Sequence, residues 1–316
     1  MTVLSLSRRS VFQTGLGLFC LFICVTLPLH AFAISADENP TRKVLVINSY
    51  HPGYFWSDDI MEGIRHVLGA EDDVEIFIEY LDTKRHYDAA HCHYMAQIIR
   101  HKYDGWAMDA IITSDDNALD FMLDMRAEFL TATPLVFCGI DRADPARIGG
   151  YEPIYGVEER DGTPSTIDLM LSLHPGISTI FFVSDATRTG EVMLERIRNM
   201  ESSYEKTVEF AYLVGMTAAE LEAALGRLPE ESAVLYLSLI RDRSGKIYSI
   251  RESMEMVASA SKVPVYCTWG FRPGTGVVGG DILSGFVQGE MSAQIALRLL
   301  RNEDPATISP VLTAPT

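Results

Sequence analysis

Lys43-Val44-Leu45-Val46-Ile47-Asn48, followed at once by Ser49-Tyr50-His51, sets how the chain is read. A short apolar run without polar alternation is a strand buried on both faces. Ser57-Asp58-Asp59 then opens a segment with Ile60, Ile64 and Leu68 at helical spacing and acids in its first turn. The same strand–turn–helix unit recurs. Val74–Tyr80, Ala110–Thr113 and Pro134–Cys138 read as strands, with helices between and after them. After an irregular stretch around 142–161, the rhythm restarts with Thr179–Val183, Val208–Leu213, Ala233–Leu237 and Pro264–Cys267. Thr217-Ala218-Ala219-Glu220 is a capping box that starts one of the later helices.

Strands alternating with helices imply parallel sheets with right-handed crossovers. The single break implies an α/β architecture of two doubly wound parallel-sheet lobes with a cleft between them. The expected division is a signal peptide over 1–33, an N-terminal lobe from 34–145 and 281–304, a C-terminal lobe over 146–280, and a tail over 305–316. Gly274-Thr275-Gly276-Val277-Val278-Gly279-Gly280 lacks the Lys-Ser/Thr ending of a phosphate loop and reads as a hinge crossing.

Composition removes several function classes. The 316 residues include 26 Lys+Arg and 43 Asp+Glu, a formal net charge of −17. Such a chain has no basic surface to offer nucleic acid phosphates or an anionic bilayer. Ahead of Ala33 the only charged residues are Arg8 and Arg9; an apolar run follows, closed by Ala31-Phe32-Ala33. That is the pattern of a cleaved export signal, so a periplasmic location is expected. Cys92, Cys138 and Cys267 follow it; an odd number leaves at least one unpaired within the chain. Cys138 and Cys267 end apolar runs and read as small buried hydrophobes.

In doubly wound sheets, ligands bind beyond the carboxyl ends of the strands. Those ends carry Ser49, Tyr50 and His51, with Trp56 close behind; Ser114, Asp115, Asp116 and Asn117; Gly139 and Asp141; Ser184 and Asp185; Ser238; and Trp269. Hydroxyls, imidazole and carboxylates suit a polar solute, and indole suits stacking. The aspartates and Asn117 are also favoured helix caps, so the sequence leaves open which of Asp115 and Asp116 faces a ligand. Arg241 and Arg243 read as a solvated loop. His86, His91, His93 and His101 with Cys92 lack ligand spacing on a helix, so no metal site and no cofactor are expected.

Four stretches carry a resemblance: Val44–His51 with Trp56, Ala110–Ala118, Pro134–Gly139, and Gly285–Glu290 followed by Arg301-Asn302-Glu303-Asp304-Pro305. Over roughly 42–308 the chain resembles the type I periplasmic-binding-protein-like substrate-binding proteins of an uncharacterised ABC-transporter class. The resemblance implies a non-enzymatic protein that closes two lobes on a small solute, with an amino-acid-like ligand and a membrane permease as partner. Related domains serve as extracytoplasmic sensors of histidine kinases and cyclic-dinucleotide enzymes, and the Asn-Ser-Tyr-His…Trp opening is closer to those. A ligand-sensing domain of a transmembrane signalling protein is therefore the alternative. An enzyme using Asp115 or Asp116 with His51 as an acid–base pair is the third reading.

Overall fold

A computed structural model describes residues 41–314; the expected signal peptide and the last two residues lie outside them. The chain begins with β1 (Arg42–Asn48), α1 (Phe55–Leu68), β2 (Val74–Tyr80), α2 (Ala89–Lys102), β3 (Ala110–Ser114) and α3 (Asp115–Arg126). It continues through β4 (Leu135–Ile140), the short α4 (Pro145–Ile148) and β5 (Ile154–Glu158). The second lobe is built from α5 (Thr163–Leu173), β6 (Thr179–Ser184), α6 (Arg188–Tyr204), β7 (Glu209–Val214), α7 (Ala218–Leu225), β8 (Ser232–Tyr236), α8 (Ile250–Ala260) and β9 (Val265–Cys267). The chain then returns to the first lobe as α9 (Gly285–Leu300) and ends in β10 (Val311–Thr313).

Two sheets result, one six-stranded in the order β10-β5-β4-β3-β1-β2 and one four-stranded in the order β7-β6-β8-β9. Their neighbouring strands all pair in parallel. Each strand serves two cores by the period of two along a pleated strand. In the first sheet Val44, Val46, Ile112 and Val136 face α1 and α9, while Leu45, Ile47, Ile111 and Phe137 face α2 and α3. In the second, Val183, Val234 and Val265 face α7 and α8, while Ile180, Phe182 and Leu235 face α5 and α6. Full burial of each such side chain is worth roughly 1.5–3 kcal/mol. This two-sided burial is why the strands read as unbroken apolar runs.

The pairing of α1 with α9 ties the end of the chain to its start. Gly63 lies against the carbonyl of Phe286, and Gly289 lies against the carbonyl of Ile60. A Cβ at either position would collide with backbone, so these glycines set how closely the two helices approach.

Three sequence expectations change. The strand β5 belongs to the first sheet, so the first lobe extends to Glu158 rather than ending at 145. Gly156 hides this strand in the sequence. Its missing side chain is the space occupied by the Phe137 ring, whereas glycine inside a strand reads as a turn. The segment expected as a tail contributes to the first sheet, because Val311–Thr313 pairs with Gly156–Glu158 as the edge strand. And α1 starts at Phe55, ahead of Ser57, with the Asp58 carboxylate accepting a hydrogen bond from Gly53 N at 3.0 Å. The capping box at Thr217 and Glu220 is formed in full, and Ser249 with Glu252 forms a second.

Candidate functional site between the two sheet ends

The carboxyl ends of both sheets converge on one gap. From the first lobe it is lined by Asp141, beyond β4, and Glu159, beyond β5. From the second come Thr163, Met193 and Arg196 on α5 and α6, Leu237 beyond β8, and Thr268 and Trp269 beyond β9. The space enclosed is about 60 Å3, room for a few waters at most. Contacts between the lobes hold it narrow. Arg196 Nη2 donates to Asp141 Oδ2 at 2.7 Å, and Arg272 grips both oxygens of Asp59 at 2.8 and 3.0 Å. The Phe55 and Trp269 rings pack with centroids 5.5 Å apart.

Asp115 is the most unusual residue at this end of the first sheet. It is only 5% exposed and has φ +66°, a left-handed conformation that costs a side-chain-bearing residue on the order of 1–3 kcal/mol. Gly139 makes the space for it: a Cβ there would lie 3.3 Å from both the amide nitrogen and Oδ1 of Asp115. Trp56 Nε1 donates to Asp115 Oδ1 at 2.9 Å, while Oδ2 is buried with no hydrogen-bond partner among the described residues. Burial raises the pKa of this carboxyl to about 7 against the lowering effects of Trp56 and Lys84. Glu159 is pushed to about 8 by burial, then by the charges of Asp115 and Asp141. A carboxylate pair in a low-dielectric cleft accepts either protons or a cation.

Aromatic side chains flank Asp115. The Tyr50 and Tyr54 rings meet edge to face at 5.2 Å, and Lys84 Nζ sits 4.4 Å from the Tyr50 centroid and 5.4 Å from that of Tyr54. Burial, followed by the charge of Asp115, raises both tyrosine hydroxyls well above their usual range. Although Lys84 keeps a solvent-exposed surface, the protein around it lowers its pKa.

Several residues expected from sequence to touch a ligand make hydrogen bonds that hold the loops in place. Ser49 Oγ donates to Ser114 O at 2.6 Å and accepts from Ala118 N at 2.8 Å, joining β1 to α3. Ser114 Oγ donates to Asn48 Oδ1, and Asn117 Nδ2 donates to Thr83 Oγ1. Asp116 is exposed and paired with Arg147 at 2.9 Å, so Asp115 is the inward member of the pair. Gly139 N donates to Gln288 Oε1. Ser184 Oγ bonds the backbone at Gly190. Asp185 is buried, and its carboxylate accepts from Thr187, Ile240 N and Arg241 N. Trp56 is buried, spends its N–H on Asp115, and with Phe55, Asp59 and Arg272 lines a second cavity of about 230 Å3. His51 Nδ1 lies 3.4 Å from Asp82 Oδ1. Trp269 lines the gap and donates to Leu237 O.

Sequence reasoning missed Glu159, Lys84, Tyr54 and Arg196. Glu159 follows a strand that was not recognised. Lys84 stands four residues beyond the end of β2, a strand that was recognised but whose end was passed over. Among the described residues no group of three or more His, Cys, Asp or Glu is placed to hold a metal ion. Cys92, Cys138 and Cys267 are free thiols, and burial lifts the latter two to about 12.

With this geometry in view, comparison with solved structures fixes the architecture. A ligand-free, open substrate-binding protein with adhesive properties from Clostridium difficile superposes with TM-score 0.57 at 14% identity, over 86% of this chain and 89% of that one. The chain has a type I periplasmic-binding-protein-like fold. An ABC domain in complex with L-Trp from Streptococcus pneumonia gives 0.52 at 16% identity, over 87% and 90% of the two chains. A LacI transcriptional regulator from Lactobacillus brevis gives 0.56 at 14%, over 86% and 98%. No family model and no curated protein matches the chain. No helix among the described residues is long and apolar enough to cross a membrane.

Proposed function

We propose that the protein binds a small polar solute between its two lobes and acts, outside the cytoplasm, as the substrate-binding component of an ABC transporter. The carrying observation is that the carboxyl ends of both sheets meet at a gap lined from each side, with the buried, half-partnered carboxylate of Asp115 close enough to act on the charge of Glu159 in its lining. Among the described residues two segments, 159–162 and 268–284, connect the lobes, so hinge opening disturbs neither core. A gap of about 60 Å3 requires such opening before a solute can enter. Closure then presents a changed outer surface to a permease. The solved neighbours include a substrate-binding protein, an ABC domain bound to L-Trp and a LacI family regulator bound to lactose, which supports binding rather than turnover. Export follows from the leader pattern at 1–33. A sensor role for the same closure is the second reading, favoured by the Asn48–Trp56 opening.

A thermal-shift screen of the purified protein against small solutes tests this. A ligand held at about 100 times its Kd adds roughly 2.7 kcal/mol of stability, and small-angle scattering reads the accompanying change in radius of gyration. A ligand that stabilises one lobe and leaves the radius unchanged contradicts closure.

A further inference from the structure

We propose that the solute is a net organic cation, an amine or quaternary ammonium without a compensating carboxylate, received by Asp115 Oδ2 beside the Tyr50 and Tyr54 rings. The assignment rests on the cleft being a solute site and specifies its chemistry. Asp115 is nine-tenths buried, and one of its oxygens is left without a donor. A buried carboxylate in that state is costly unless a proton or a positive charge answers it. Its other oxygen is fixed by Trp56, so the carboxylate cannot turn to find a partner without losing one.

Tyr50 and Tyr54 already hold a cation. The Lys84 ammonium lies over both rings, where the negative face of an aromatic ring attracts positive charge. Lys84 forms no ion pair among the described residues, and the residue reaches solvent, although burial of its ammonium lowers its pKa. It can therefore swing into solvent and give up its place. The ring pair thus binds an ammonium group with nothing but aromatic faces and the nearby field of Asp115.

The remaining charges point the same way. Asp115, Glu159 and Asp141 gather at this end of the first lobe; Arg196 from the opposite lobe is committed to Asp141, and Arg160, which also lines the gap, pairs with Asp281 at 3.6 Å. Arg147 is committed to Asp116 and Asp120. An anionic solute would meet uncompensated carboxylates. A neutral one would leave Asp115 Oδ2 without a countercharge. The net charge of −17 also draws cations toward the protein at long range.

The test is a thermal-shift and titration series at pH 8 with four sets of probes: choline and putrescine as cations, betaine and glutamine as zwitterions, succinate as an anion, and ribose and inositol as neutral solutes. The expected result is stabilisation by a cation. Asp115→Asn should weaken it about tenfold or more, and Lys84→Gln should strengthen it by removing the resident competitor. Stabilisation only by zwitterionic, anionic or neutral probes overturns the cation assignment and leaves the cleft reading standing. A cation bound equally well by Asp115→Asn places its site elsewhere and also overturns the assignment. No response to any probe counts against the cleft as a solute site.

Discussion

Trp56 Nε1 donates a 2.9 Å hydrogen bond to Asp115 Oδ1, joining the first turn of α1 to the first turn of α3 across the end of the parallel sheet. The two residues are 59 apart in sequence, yet together they place a buried acid whose second oxygen has no donor among the described residues. Trp56 belongs to the core beneath α1 and α9, so the bond anchors a functional group directly to the lobe's packing.

Replacing Trp56 by Phe keeps most of the buried ring and removes the donor. The expected loss is about 1–3 kcal/mol, the cost of leaving a buried acceptor unmade. Urea unfolding at pH 8, where Asp115 is ionised, should show that loss, and at pH 5 the loss should be smaller. Equal losses at both pH values would mean that the ring's packing matters and its N–H does not.

The raised pKa values give stability a definite pH dependence. Folded Asp115 titrates near 7 and Glu159 near 8, both above ordinary unfolded carboxyls near 4. Folded protein therefore keeps protons that the unfolded chain has released. These groups favour folding at low pH, and that contribution fades as pH climbs from about 4 through 8. Asp115 is faced by Lys84, Asp116, Tyr50, Tyr54 and Glu159; the hydrogen bond of Trp56, the charge of Lys84 and the Ser114 hydroxyl oppose the shift. Asp115→Asn should gain on the parent by roughly 2–3 kcal/mol between pH 5 and pH 8. A stability difference that stays flat over this range contradicts the assignment.

The lobe contacts predict a shift in the open–closed balance. Arg196 and Asp141 are each partly exposed, so their pairing adds at most about 1 kcal/mol. Arg196→Ala should nonetheless enlarge the radius of gyration without ligand while leaving thermal stability within about 0.5 kcal/mol of the parent. An unchanged scattering profile would show that Arg272 and the Phe55–Trp269 contact alone hold the lobes together.

Much of the architecture was legible because burial on both faces writes each central strand as an apolar run. Where that signature fails, so does the reading. Ile154-Tyr155-Gly156-Val157 is short and interrupted by glycine, and the reason for that glycine is the ring of Phe137, a tertiary fact. The polar strand ends were legible as a set but not in their roles. Asp185 looks like a ligand group until Ile240 N, 55 residues on, is found to claim it. Asp115 and Asp116 are equivalent as letters, and only the left-handed backbone beside Gly139 turns one inward. Glu159 was hidden together with its strand.

The close pairing of α1 and α9 gives a stability prediction independent of ligand. Gly289→Ala places a methyl group against the Ile60 carbonyl, and overpacking of this kind costs about 1–3 kcal/mol. A melting temperature equal to the parent's would mean that the helices can part freely.

A crystal structure of the protein grown with a stabilising probe tests the account most directly. The account predicts density for the probe in the gap, touching Asp115 or Glu159 from one sheet end and Thr268 or Trp269 from the other, with the Lys84 ammonium moved off the tyrosine rings. Density confined to one lobe, or seated away from both sheet ends, would contradict it.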